Sequence, residues 1–240
     1  MKKSELLVRL NDLHIPFHDE KVVELQLKFC KELQPEIIII DEWHDFYVVS
    51  KYDTNPKRHH ALQEEIDIAE KYLARLRKYC PKARIILLDS NHLDRLRKYL
   101  WSMARALSSL KALEIEELLN LRKYNVEFKS DFTYKGVFYK HGTVVRKFSA
   151  YTAKGEFEKE NMSGVSGHTH RLGLYFHTLR SGQYWWMESG CACKLDAEYI
   201  EGVANWQQGF SAVKYLNDKP YPVLIPTKDY QIIWGDKVIK

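Results

Sequence analysis

Residues 37–45 read IIIIDEWHD, four consecutive isoleucines running directly into a cluster of acids with a histidine among them. An unbroken β-branched run of this length predicts a strand covered on both faces, as in a parallel sheet. Its polar continuation falls at the carboxyl end of that strand, where the loops of an α/β sheet gather ligands. The same alternation recurs on either side. Residues 6–10 read as a short strand, and Val22, Leu25, Phe29 and Leu33 follow at helical spacing. Downstream, Leu62, Ile66, Ala69, Leu73 and Leu76 mark a second amphipathic helix ending near Cys80 and Pro81, and residues 85–88 form a third buried strand. This β-α-β-α-β order predicts parallel strands joined by right-handed crossovers.

After Asn91 the pattern predicts about thirty helical residues, with Leu96, Leu100, Met103, Leu107 and Leu110 in one apolar stripe and Arg95, Arg97, Lys98 and Arg105 largely off it. The second half alternates strands and turns at 126–128, 137–139, 172–179, 184–188, 210–216 and 230–234, interrupted by one helix around 150–161. With 240 residues, 45% of them hydrophobic, and no linker-like stretch or internal repeat, residues 1–240 are expected to form one domain. No apolar run approaches the roughly 18 residues needed to cross a bilayer. The opening segment reaches Asn11 and Asp12 too soon to hold a signal-peptide core, so the expected location is the cytoplasm, without membrane contact. Four cysteines are too few for a disulfide framework in a chain this long. Cys191 and Cys193 lack the second pair a zinc site would need, and they read as buried thiols beside a turn. A net charge of +5 permits a polyanionic partner without requiring one.

Chemistry-bearing residues collect after the expected strands: Asp12 and His14, then Asp41 to Asp45, then Ser90-Asn91-His92, then His141-Gly142, and last Gly167-His168-Thr169-His170. They offer oxygen and imidazole donors without thiolate, a set suited to manganese, iron or zinc in hydrolysis. Alternate residues at a strand end point the same way, so Asp12 and His14, and equally His168 and His170, are expected to converge. In order and content these blocks resemble the calcineurin-like metallophosphoesterases, whose signature runs D-x-H, G-D-x-x-D, G-N-H-E/D, H, G-H-x-H. The resemblance spans roughly residues 7–171. Residues 43–50, 165–171 and 205–209 look most like the small phage and bacterial branch of that family. The fold implied is a four-layer α/β/β/α sandwich of the metallo-dependent phosphatase type.

The resemblance also implies roles. One divalent metal would be held by Asp12, His14 and His170, another by Asn91, His141 and His168, with Glu42 bridging them; manganese is the first expectation, iron or zinc the alternatives. His92 would protonate the leaving oxygen and Asp45 would orient its imidazole. Arg95, Arg146 and Arg171, close in sequence to ligand blocks, are candidates to bind the substrate phosphate. The function expected is hydrolysis of phosphoesters by metal-activated water, with phosphodiesters of DNA or nucleotides leading. The alternative is a weakened or inactive relative that binds metal and phosphate. Four departures from the signature separate the two: Asp41 for glycine, Glu42 for aspartate, Ser90 for glycine and Leu93 for an acid. If they only misplace the metal loops, restoring all four should raise hydrolysis about a hundredfold or more and leave stability nearly unchanged.

Overall fold

The computed structural model describes residues 4–52, 55, 61–197 and 202–240. Strands β1 (Ser4–Asn11), β2 (Ile37–Asp41) and β3 (Arg84–Leu88) alternate with helices α1 (Glu20–Leu33), α2 (Leu62–Tyr79) and α3 (Leu93–Met103); a one-turn helix α4 (Ile115–Leu118) precedes β4 (Val126–Lys129). There follow β5 (Asp131–Tyr134), β6 (Val137–Lys140), α5 (Tyr151–Glu160), β7 (Ser163–Ser166), β8 (Leu172–Leu179) and β9 (Gly182–Ser189). The chain ends with β10 (Gly209–Leu216), β11 (Lys219–Pro226) and a small hairpin of β12 (Ile232–Trp234) and β13 (Lys237–Ile239). One sheet has the order β11-β10-β1-β2-β3-β4, the other β5-β6-β7-β9-β8. Strands β1 to β4 run parallel, as the alternation predicts.

Period-two alternation explains the layering. Ile37 and Ile39 of β2 face the second sheet, packing with Tyr139, Val165 and Met187, while Ile38 and Ile40 face the helical side with Phe29 and Leu73. Each such fully buried isoleucine stabilises by roughly 1.5–3 kcal/mol. The outer face of the second sheet is closed by Ala153 and Phe157 of α5, which pack on Trp186. The result is helices, sheet, sheet, helix: the four-layer sandwich expected. No helix among the described residues is long and apolar enough to cross a membrane, and all four cysteines are free and buried.

The long helix expected after Asn91 is not formed. Helix α3 stops at Met103 and is followed by 3-10 turns at Arg105–Ser109 and Lys111–Leu113. Ser108 and Ser109 donate their hydroxyls to the Arg105 and Ala106 carbonyls, competing with the amides a helix would use. Only Leu96 and Leu100 of the apolar stripe are buried; Met103, Leu107 and Leu110 are exposed.

Glu65 of α2 is a buried carboxyl that fixes the loop after β2 by accepting the Phe46 backbone N–H. Burial, with Asp45 nearby, outweighs that bond and pushes its pKa up to about 8. Its folded value thus lies above its unfolded one, so its contribution is complete below about pH 4.5 and is lost as pH rises toward 8. Glu65→Gln keeps an acceptor without the charge. Urea denaturation should find it more stable than the parent at pH 8.5, by roughly 1.4 kcal/mol for every pH unit that separates the folded pKa from the ordinary one, and little different at pH 4.5. A variant less stable at pH 8.5 would contradict this.

Candidate metal centre

The blocks meet at the carboxyl ends of β1, β2, β3, β6 and β7. Strand β1 ends at Asn11, and the next residues leave strand geometry: Asp12 and His14 have φ of 52° and 51°. Glu42, His168 and His170 are also left-handed, with φ of 47°, 71° and 59°. Strand alternation is therefore not what brings these side chains together. Residues other than glycine reach this region at a cost on the order of 1–3 kcal/mol each, and such strain collects at functional sites. Asp41 and Ser90, by contrast, have no positive φ. Neither position needs the glycine of the signature.

Two donor clusters result. In the first, His14 Nε2 lies 2.8 Å from His170 Nε2, and Asp12 Oδ1 lies 3.6 Å from His170 Nε2 and 3.9 Å from His14 Nε2. In the second, His141 Nε2 lies 2.6 Å from Asn91 Oδ1 and 3.1 Å from His168 Nδ1. Glu42 belongs to both, its Oε2 being 3.4 Å from His14 Nε2 and 3.5 Å from His141 Nε2. His168 and His170, expected to converge, go to different clusters.

Carboxylates and imidazoles crowded together in a buried space shift one another. Burial, aided by Asp12 and Asp41, pushes the Glu42 carboxyl up to about 8 despite the histidines around it. Burial opposes charge on His141, but Glu42 and Asp41 outweigh it and raise His141 to about 10. Glu42 Oε1 is buried without a hydrogen-bond partner. A donor set of imidazoles, carboxylates and one amide, with an orphaned buried oxygen at its centre, fits a pair of divalent cations.

The surrounding residues orient these donors. His168 donates its backbone N–H to both Asp12 oxygens, at 3.1 and 3.2 Å. Gly167 is needed here because a β-carbon would collide with Asp12 Oδ2. Gly167→Ala should displace that carboxylate and weaken manganese binding at the first cluster about 10–100-fold. Calorimetric titration checks this; unchanged affinity would mean the Asp12 carboxylate is not a ligand.

Asp41 hydrogen-bonds to His141 Nδ1, which lies 3.1 Å from each of its oxygens. It is itself paired with Arg9, a fully buried residue of β1 whose Nη1 donates to the Lys140 and Val165 carbonyls at 2.7 and 2.8 Å. Arg9 thus ties the first sheet to the second directly beneath the two donor clusters. Sequence reasoning missed it; the available signal was an arginine set inside the apolar strand LLVRL, matched by an acid where the signature has glycine.

Asp45 Oδ2 accepts from His14 Nδ1 at 3.0 Å and lies 3.1 Å from His92 Nδ1. Burial alone would raise Asp45, but these two histidines hold it below the ordinary carboxylate range. His92 is the residue just before α3, and Arg95 in the first turn of that helix pairs with Asp45 and places Nη2 3.0 Å from His92 Nε2. Burial, with His14 and Arg95 adding to it, pushes His92 down to about 4. These groups open on a cleft of about 620 Å³ that also reaches Tyr52 and Trp206. Of the expected phosphate-binding arginines only Arg95 lines it. Arg146 and Arg171 sit elsewhere, Arg171 being held by the Asn205 and Arg146 carbonyls. Behind His170, Cys193 Sγ lies 3.9 Å from Nδ1.

No protein-family model matches the chain. It is similar to the Gene 54 proteins of Mycobacterium phage L5 and Mycobacterium phage D29, each 29% identical over 241 residues, which cover 93% of this chain and 94% of theirs. Among solved structures it is similar to Vacuolar Protein Sorting 29 from Cryptosporidium parvum, with 13% identity, a TM-score of 0.48 and coverage of 98% of this chain and 95% of that one. It is also similar to a single mutant of Vps29 from Entamoeba histolytica, with 10% identity, a TM-score of 0.41 and coverage of 91% and 98%.

Proposed function

We propose that the cleft is a two-metal phosphoester site that binds a pair of divalent cations, manganese first, holds a phosphodiester across them, and hydrolyses it only when the leaving group needs no proton. The observation that carries this is Glu42 Oε2, which is common to both donor clusters. Asp12, His14 and His170 would hold one cation and Asn91, His141 and His168 the other. Bound there, the cations would supply Lewis acidity and lower the pKa of a water. The two Gene 54 proteins show only that chains similar to this one occur in mycobacteriophages.

Weak turnover is supported by the state of His92. A general acid must carry its proton at working pH, and His92, pushed down to about 4, is neutral near pH 7. Its Nε2 faces the Arg95 guanidinium, which lies within donating distance of the nitrogen that would have to hold the proton. Asp45, expected to orient the His92 imidazole, is shared with His14 and Arg95.

A comparison of leaving groups tests this reading. Manganese-loaded protein should hydrolyse bis-p-nitrophenyl phosphate measurably and a dialkyl phosphate hardly at all, and His92→Ala should change the first rate by less than about threefold, since p-nitrophenolate needs no general acid. Loss of about 10²–10⁴-fold on the poor leaving group in His92→Ala, from a substantial parent rate, would establish His92 as a working acid and the chain as a full phosphoesterase.

A further inference from the structure

A second cavity of about 520 Å³ opens beside the metal cleft and shares Ser50, Tyr52, Asn91 and Arg95 with it. Beyond the shared residues it is lined by Lys51, Lys98, Tyr99, Ser102 and Met103, with Val49, and no carboxylate lines it among the described residues. Two of its aromatic rings are open to solvent, Tyr52 at 67% and Tyr99 at 41% exposure. Lys51 Nζ lies 5.1 Å over the Tyr52 ring. Among the described residues Lys98 is paired only with Asp94, at 3.4 Å on the surface, a contact worth at most about 1 kcal/mol that a phosphate can displace. Arg95 is committed to Asp45 and His92. In the metal cleft but outside this second cavity stands a third aromatic, Trp206, whose ring centre is 4.2 Å from that of His170.

Aromatic faces beside cations, leading to a site that takes a phosphodiester, are the two elements by which proteins hold unpaired nucleotides: bases stack on the rings while phosphates follow the positive charge. We propose that the second cavity is a groove for single-stranded nucleic acid, with bases stacked on Tyr52 and Tyr99 and phosphates led past Lys51 and Lys98 into the cleft. The identification of the cleft's anion as a phosphodiester rests on the two-metal reading above. A duplex hides its base faces and cannot stack in this way. A phosphopeptide offers the phosphate without the rings' partners.

Fluorescence anisotropy of the full chain with labelled oligodeoxynucleotides and oligoribonucleotides, in chelator and again with calcium, tests the groove without turnover. Single strands of at least one sugar type should bind at least about tenfold more tightly than the matching duplex. Tyr99→Ala should weaken that binding about tenfold or more, stacking being lost at one base. The double variant Lys51→Ala with Lys98→Ala should reduce the slope of log affinity against log salt by about 1.4. Equal affinity for duplex, unchanged binding by Tyr99→Ala, or displacement by a phosphopeptide as readily as by an oligonucleotide would overturn the proposal. Manganese-dependent hydrolysis of bis-p-nitrophenyl phosphate, too small to reach Tyr99, separates the two claims. A chain that binds strands and hydrolyses no ester keeps the groove and loses the hydrolysis; one that hydrolyses the ester and binds no strand loses the groove.

Discussion

Asp41→Gly, although it restores the residue of the family signature, should destabilise the protein by about 3–5 kcal/mol, because it leaves the fully buried Arg9 without its carboxylate. Over a chain of this size that corresponds to a fall in Tm on the order of 10 °C. The same change frees His141 Nδ1 from the group that orients it, so metal affinity at the second cluster should fall with stability. Asp41→Asn, which keeps an acceptor, should cost less. Arg9→Met combined with Asp41→Gly should recover much of the stability, since a buried pair removed together leaves no orphaned charge. Calorimetry on the four proteins decides the matter. A neutral Asp41→Gly would show that Arg9 finds solvent or another partner.

This reverses an expectation drawn from the sequence, that positions 41, 42, 90 and 93 are changed loops whose restoration leaves the fold intact. Leu93, the first residue of α3, is fully buried in the core, so Leu93→Glu would bury a carboxylate. Ser90 Oγ accepts the Leu93 backbone N–H at 3.4 Å at the start of α3, a bond that glycine cannot make. The residues surrounding these positions are fitted to them.

Glu42→Ala should have the largest effect on the metal site, weakening both ions about a hundredfold or more, since losing even a group that only orients a ligand costs 10–100-fold. One carboxylate serves both clusters, and without it two cations about 3.5–4 Å apart would lack the anionic oxygen between them. Glu42→Asp is the informative companion. The left-handed backbone at Glu42 sets its longer side chain with Oε2 near both His14 and His141, so aspartate should fall short and weaken binding instead of improving it. Tighter metal binding by Glu42→Asp would mean that the extra methylene does misplace the bridge.

What could be read from the sequence was whatever hydrophobic period and residue chemistry encode locally. The isoleucine run, the parallel order of β1 to β3 and the five donor blocks belong to that class. Strand β11 escaped because Pro220 and Pro222 argue against a strand, yet it lies at the sheet edge, where missing N–H groups are tolerated. Strand β7, Ser-Gly-Val-Ser, is too short and too polar to show a period. The Arg9–Asp41 pair joins residues on neighbouring strands and reaches the opposite sheet, a relation that no local pattern carries. Arg146 and Arg171 were chosen for adjacency in sequence to ligand blocks, but side chains after a sharp turn need not share its face. The left-handed φ values that aim five of the ligand candidates are set by the turns, and the residue types do not announce them.

The two-metal reading stands on the shared position of Glu42, and anomalous diffraction from manganese-loaded crystals tests it most directly. Two peaks about 3.5–4 Å apart are expected, both within bonding distance of Glu42 Oε2, one beside Asp12, His14 and His170 and the other beside Asn91, His141 and His168. A single peak, no peak at millimolar manganese, or two peaks that do not share Glu42 would contradict it.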